Sequence, residues 1–407
     1  MLDIKNGTID KSNEASDDKK ILNDRYILND VDMLNNVDIS NDGDVLNYVD
    51  MSNDGDVLND VDMSNDGDVL NDMDISNNDI SNDMNENSEK SEELLSVSNI
   101  SISFLQYTRG LRQNLLKVIS DLTLDISTGE IVAILGSSGS GKSLLAHAIL
   151  GILPKNATLT GEMSFKGKNL DQNLKENVRG SEIALIPQSV NYLDPLMKVS
   201  DQVIGETVDE EDKKTKKIHQ RKVFEEYGLG EEVDDLYPFQ LSGGMARRVL
   251  VSTALIQNPD LVIADEPTPG LDDKAIEETL NYLKQMANDG KGVLLITHDI
   301  NAALNVADKI VIFYSGYVIE IVNAKDFSGD GENLVHPYTR ALYKALPQNG
   351  FHLYEGHQPI HGEIPEGCVY YDRCDHPTDC CKTLNPELQD IQGKKVRCHR
   401  GHRKYSR

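Results

Sequence analysis

Gly136-Ser-Ser-Gly-Ser-Gly-Lys142-Ser143 decides how this chain folds, because it fits G-x-x-x-x-G-K-[ST] and stands between the two elements such a loop joins. Upstream, Glu130-Ile-Val-Ala-Ile-Leu135 is short and almost wholly apolar, which predicts a buried parallel strand. Downstream, Leu144 to Leu150 predicts a helix. Gly136, Gly139 and Gly141 let the backbone turn tightly, so that N–H groups along Gly136, Ser137, Ser138, Gly139, Ser140 and Gly141 converge on phosphates. The helix N-terminus adds partial positive charge. Lys142 is placed to reach β- and γ-phosphates and the Ser143 hydroxyl to ligate Mg²⁺. The loop implies a bound nucleoside triphosphate; its use must be read from the residues downstream.

Three further strand ends carry chemistry. Glu182-Ile-Ala-Leu-Ile-Pro-Gln188 predicts a strand ending in a neutral amide suited to a Mg²⁺-bound water. Asp260-Leu-Val-Ile-Ala-Asp265-Glu266-Pro267 predicts an apolar strand ending in two acids. Asp265 is suited to hold Mg²⁺, directly or through water, and Glu266 to polarise an attacking water. Gly292-Val-Leu-Leu-Ile-Thr-His298-Asp299 predicts a strand with His298 at its end, within reach of a γ-phosphate. Between these lie a polar helical stretch from Val190 to about Gly230, whose charged run Asp209 to Lys217 reads as a solvated helix face, and Leu241-Ser242-Gly243-Gly244-Met245, followed by a helix over Ala246 to Gln257. Alternating strands and helices imply an α/β fold with a parallel sheet and ligands at the carboxyl ends of its strands.

Working outward, Leu94-Leu-Ser-Val-Ser-Asn-Ile-Ser-Ile-Ser-Phe104 and Leu122-Thr-Leu-Asp-Ile126 alternate like strands and predict an antiparallel pair leading into the parallel core; Met163-Ser-Phe165 predicts another strand. Phe104 is a candidate to stack on an adenine ring, with Tyr107 its rival and burial in the core the alternative. Residues 1–93 are rich in Asn, Asp and Ser, with a twelve-residue repeat from Val37. They read as a disordered low-complexity segment that buries too little apolar surface to offset ordering. Asp50-x-Ser52-x-Asp54-Gly55-Asp56 matches half of a calcium loop, but Val61 stands where a bidentate Glu belongs.

The net charge of -28 belongs mostly to that end: residues 1–93 hold 26 acidic side chains against 6 basic ones. No basic face is evident, which argues against nucleic acid as a partner. No apolar run is long enough to span a bilayer, and no cationic segment leads into an apolar one near the N-terminus, so the chain is expected in the cytosol unless a partner holds it at a membrane. Trp is absent and aromatics are 5%, so the core must be aliphatic. All five cysteines lie between Cys368 and Cys398, which favours metal ligation over disulfides in such a chain.

The phosphate loop, Gln188, Leu241-Ser-Gly-Gly-Met245, Leu261 to Glu266, Gly270-Leu271-Asp272 and His298, in this order, resemble the ATPase subunit of an ABC transporter over roughly residues 94–330. The resemblance implies a P-loop NTPase of ABC type with a helical subdomain, working with ATP and Mg²⁺. It also implies two such subunits, identical or different, paired head to tail, with Ser242, Gly243 and Gly244 of one meeting the γ-phosphate held by the other. The signature continues Met245-Ala-Arg247-Arg-Val249 where relatives more often have Gln before the second Arg; the serine and glycines are untouched. Beyond residue 330, His336-Pro-Tyr-Thr-Arg-Ala-Leu-Tyr-Lys-Ala-Leu-Pro347, Ile364-Pro-Glu-Gly-Cys368 and Leu193-Asp-Pro195 resemble the ATP-binding subunits of dipeptide, oligopeptide and nickel importers. That implies a small cysteine-containing C-terminal domain over 331–407, two permease subunits, an extracytoplasmic substrate-binding protein, and a place on the cytoplasmic face of the membrane. Cys368, Cys374, Cys381 and Cys398 then close on a [4Fe-4S] cluster or on Zn²⁺, with Cys380 the rival of Cys381. Peptide and nickel both remain open as cargo, and a soluble ABC ATPase without a transport role is the alternative. One signature and no sustained heptads argue against the repair and translation relatives.

Overall fold

The alternating segments from Leu94 onward become two long strands in a computed structural model that describes residues 92–107, 112–360 and 364–400. The repeats and the half calcium loop at Asp50 lie outside the described residues. The strands β1 (Glu93–Tyr107) and β2 (Gln113–Ser127) pair antiparallel, and β3 (Ile131–Leu135) runs into the glycine loop and α1 (Lys142–Leu150). β4 (Ala157–Phe165) and β5 (Lys168–Asn169) complete a four-stranded antiparallel sheet in the order β2-β1-β4-β5. β1 and β2 thus form the expected antiparallel pair and lead through β2 into β3 of the parallel sheet, while themselves building a second layer. Alternation marks which faces of a strand are buried but not which sheet receives it.

After α2 (Gln172–Val178) and β6 (Ile183–Ile186), the chain forms α3 (Val199–Ile204) and α4 (Glu210–Glu226), which pack on each other and on the helix after the signature, α5 (Gly243–Leu255). β7 (Leu261–Asp265), α6 (Asp273–Asn288), β8 (Gly292–Thr297), α7 (Ile300–Val306), β9 (Lys309–Tyr314) and β10 (Tyr317–Asn323) follow. The main sheet has the order β11-β12-β10-β9-β3-β8-β7-β6, parallel from β9 to β6. Every residue of β3, β7 and β8 is buried, as expected for strands covered on both faces. The period of two sorts β3 between two cores: Ile131, Ala133 and Leu135 join the cluster under the helices, Val132 and Ile134 the cluster facing the antiparallel sheet and α1.

The C-terminal region does not stand apart as a small domain. α8 (Pro337–Lys344) and α9 (Asp379–Thr383) are followed by β11 (Gln389–Ile391) and β12 (Lys394–Val396), a hairpin that pairs with β10 and so extends the main sheet itself. Leu334, Tyr343, Leu346, Val369 and Tyr370 sit in the same core as β3 and β8. Arg397, 3% exposed, ties the tail down by donating to Val318 O at 2.9 Å and Asp121 Oδ2 at 2.9 Å. The resemblance changes after residue 330, but the buried apolar residues beyond it join the core of the main sheet.

Candidate active site

The glycine loop leaves β3 at the centre of the main sheet, and two of its glycines are required by their surroundings. A Cβ on Gly136 would come 2.7 Å from the Phe313 carbonyl oxygen, and Gly141 has φ +96° beside Val118. Gly141 caps α1, whose first turn carries no acid, so the helix presents its N–H groups and positive dipole end to the loop. Ser140 is buried and donates to Ser137 O at 2.7 Å. The Ser137 hydroxyl donates to Gln358 Oε1 at 2.8 Å, so the C-terminal region touches the loop from 221 residues away.

Lys142 is 6% exposed and its ammonium donates to Gly136 O at 2.8 Å and Ser137 O at 2.9 Å. Its Nζ lies 3.6 Å from Glu266 Oε1, and Glu266 Oε2 lies 2.8 Å from His298 Nδ1. Residues that follow β3, β7 and β8 thus meet at the carboxyl ends of three adjacent strands. Burial pulls the Lys142 pKa down, while the charges of Glu266 and Asp265 oppose that shift. Asp265, buried, ends β7, and Ser143 is the second residue of α1. These are hard oxygen donors, the kind Mg²⁺ takes alongside nucleotide phosphates. Gln188 lies exposed, two residues past the end of β6 rather than on the strand.

Glu266 itself has φ +45°, an uncommon conformation for a non-glycine residue. Its N–H donates to Ile296 O at 2.8 Å, and its own carbonyl accepts from Arg247 Nη2 at 3.4 Å. Arg247 is 5% exposed, and burial pulls its pKa down to about 10. The sequence showed it only as a departure within the signature; its neighbours come from β6 and β7, which local pattern cannot reveal.

Ser242 caps α5, its hydroxyl accepting from Met245 N at 3.3 Å, and Ser242 and Gly243 are exposed. Added Cβ atoms on Gly243 and Gly244 would meet nothing within 4 Å, so this edge faces open space. Asp272 caps α6 through Ala275 N at 2.9 Å. Phe104 is half-buried against the antiparallel-sheet core, opposite Leu116 and Ala157, while Tyr107 is 67% exposed.

The four cysteines named from the sequence, Cys368, Cys374, Cys381 and Cys398, line one cavity together with His336, His376 and His399; Cys380 is not among its lining residues. Burial pushes the Cys368 thiol up to about 12 and raises those of Cys374 and Cys398. They do not close on one point, however. Among the described residues no group of three or more His, Cys, Asp or Glu side chains is arranged to hold a metal ion.

Residues 119–269 match the ABC transporter family, and residues 319–381 match the oligopeptide/dipeptide transporter C-terminal region. The chain is 31% identical over 322 residues to the dipeptide transport ATP-binding protein DppD of Haemophilus influenzae, covering 75% of this chain and 95% of that protein. This chain belongs to the ABC transporter ATP-binding family. The ABC ATPase is also 34% identical to DppD of Bacillus subtilis, covering 72% of this chain and 90% of that one. Against the oligopeptide transport ATP-binding protein OppD of Escherichia coli it is 29% identical, with coverage of 76% and 94%. The activity that goes with this family and fold is ATP hydrolysis. Among the described residues no helix is long and apolar enough to cross a membrane.

Proposed function

We propose that this ABC ATPase is the motor of a di- or oligopeptide importer, seated on the cytoplasmic face of the membrane against two permease subunits that an extracytoplasmic binding protein feeds. The observation that carries this reading is the match to dipeptide transport proteins across 95% of a relative's length, ATPase and C-terminal regions together. A soluble ABC ATPase has no reason to keep that C-terminal region, and the relatives named above are dipeptide and oligopeptide transport proteins, which favours peptide over nickel as cargo.

In this reading Gly136 to Ser143 grip the triphosphate, and Ser143, Asp265 and, through a water, Gln188 would hold Mg²⁺. Lys142 exchanges its two carbonyl partners for β- and γ-phosphate oxygens, while Glu266 polarises water and His298 orients it against the γ-phosphate. Phe104 offers the unburied part of its ring to adenine. Ser242, Gly243 and Gly244, at a helix N-terminus where the first two of them are exposed, complete the γ-phosphate site of a second ATPase subunit. Closure exists only with ATP present, which is the differential affinity a ligand-driven switch requires. Uptake of a radiolabelled dipeptide by cells carrying the unsubstituted chain or Lys142→Ala tests the role. Equal uptake in both would refute it; abolished uptake is expected.

The cysteine cavity gathers four thiols, a donor set that suits a tetrathiolate group. Zn²⁺ draws four sulfurs to a single point, whereas a [4Fe-4S] cluster binds each thiolate at a separate iron and keeps them apart. Cys368, Cys374, Cys381 and Cys398 would be its ligands. Anaerobic purification with visible absorption, iron and sulfide analysis is expected to show a cluster. A colourless protein with stoichiometric zinc would exclude it.

A further inference from the structure

The fifth residue of α5 carries a guanidinium that neither the signature nor the helix requires. Ser242 caps α5 without it, and Arg247 points its charge into the molecule, 5% exposed. All three of its hydrogen bonds run to backbone carbonyls: Nη1 donates to Pro187 O and Gln188 O, each at 3.0 Å, and Nη2 to Glu266 O at 3.4 Å. None of these partners is a carboxylate. A buried charge held by carbonyls alone is a costly arrangement, so what it holds needs a reason.

The peptide on which Nη2 acts supplies one. Glu266 is in the left-handed region at φ +45°, and such a residue stays there only when its surroundings hold it on more than one side. β8 holds one side through Ile296 O, and Arg247 holds the other. The planar fork reaches the turns after two strands at once from two separate nitrogens held in a fixed geometry.

We infer that Arg247 is a positioning residue for hydrolysis: its guanidinium fixes the Glu266 backbone against the Gln188 turn, so that the Glu266 carboxylate stays aimed between Lys142 and His298. A shift of the Gln188 turn is thereby passed to Glu266 through one side chain. The inference rests on Glu266 as the water-polarising group, and Glu266→Gln, assayed alongside, tests that reading separately.

The experiment uses the full chain and measures phosphate release per chain loaded with nucleotide, loading being counted with mant-ATP. A merely structural role would lower the number of loaded chains and leave turnover per loaded chain unchanged. Arg247→Ala is expected to lower turnover per loaded chain about tenfold or more, since small misplacements of a reacting group are costly. KM for ATP should stay within about twofold, with Arg247→Lys recovering part of the loss. Should the alanine chain fail to load, Arg247→Gln, which keeps one donating amide, is read the same way. Unchanged turnover per loaded chain in the variants that load overturns the inference. Full turnover in Glu266→Gln would instead overturn the role given to Glu266.

Discussion

Among the described residues eight non-glycine positions have positive φ, and Glu266 is the one with a buried carboxylate at a strand end. Holding a non-glycine residue there costs on the order of 1–3 kcal/mol, so the surrounding contacts must favour it by more. Glu266→Gln keeps size and shape but removes the charge, and is expected to retain ATP binding while hydrolysis falls about 100-fold or more. Phosphate release and mant-ATP binding measured on one preparation check both halves. Lys142, Asp265, Glu266 and His298 were legible in the sequence because each ends or follows an apolar run whose period and length mark a buried strand. Arg247 and Gln358 were not. The one looked like a neutral variation in a helix, and the other gains its partner, Ser137, only through tertiary folding.

At the scale of elements, α4 combines burial in the core with a cluster of charge around Lys217 and Arg221. Gln220, Val223 and Phe224 are its buried residues, while Lys217, Gln220 and Arg221 converge on Asp234 at 2.6, 3.0 and 2.9 Å. Burial works to raise the Asp234 pKa, but the hydrogen bonds from Lys217, Gln220 and Arg221 outweigh it and the net shift is downward. A depressed carboxylate stabilises the fold above its unfolded-state pKa, and that contribution fades as pH falls through the folded-state value. Asp234→Asn is therefore expected to cost about 1–3 kcal/mol at neutral pH, with a smaller difference from the unsubstituted chain at acid pH. Urea unfolding at both pH values checks it. The charged run of α4 read correctly as a solvated face, yet its anchor lies in the loop beyond the helix. The run of strands and helices was equally readable, whereas the split into two sheets depended on which strands pair, and pairing is non-local.

For the whole molecule, the boundary expected near residue 330 is where sequence and structure part. The resemblance marked a change of family segment, but Leu334, Tyr343, Leu346, Val369 and Tyr370 beyond it are buried in the ATPase core, and Tyr314 of β9 packs with Tyr338 and Tyr370 at 4.5 and 5.5 Å between ring centres. Cutting the chain there is expected to impair the ATPase itself, not merely to remove an accessory. The hairpin of β11 and β12 makes this sharper. It covers the Glu320 and Ile321 side of β10, and its own outermost strand is three residues long beside Lys394 and Lys395. Short margins and lysines discourage further strand addition. A chain ending before Gln389 would leave a long apolar strand with an open row of donors and acceptors, and light scattering should then report self-association that grows with concentration. The last stretch of this chain works as a hem: it stops a sheet built for turning over nucleotide from being extended by its neighbours.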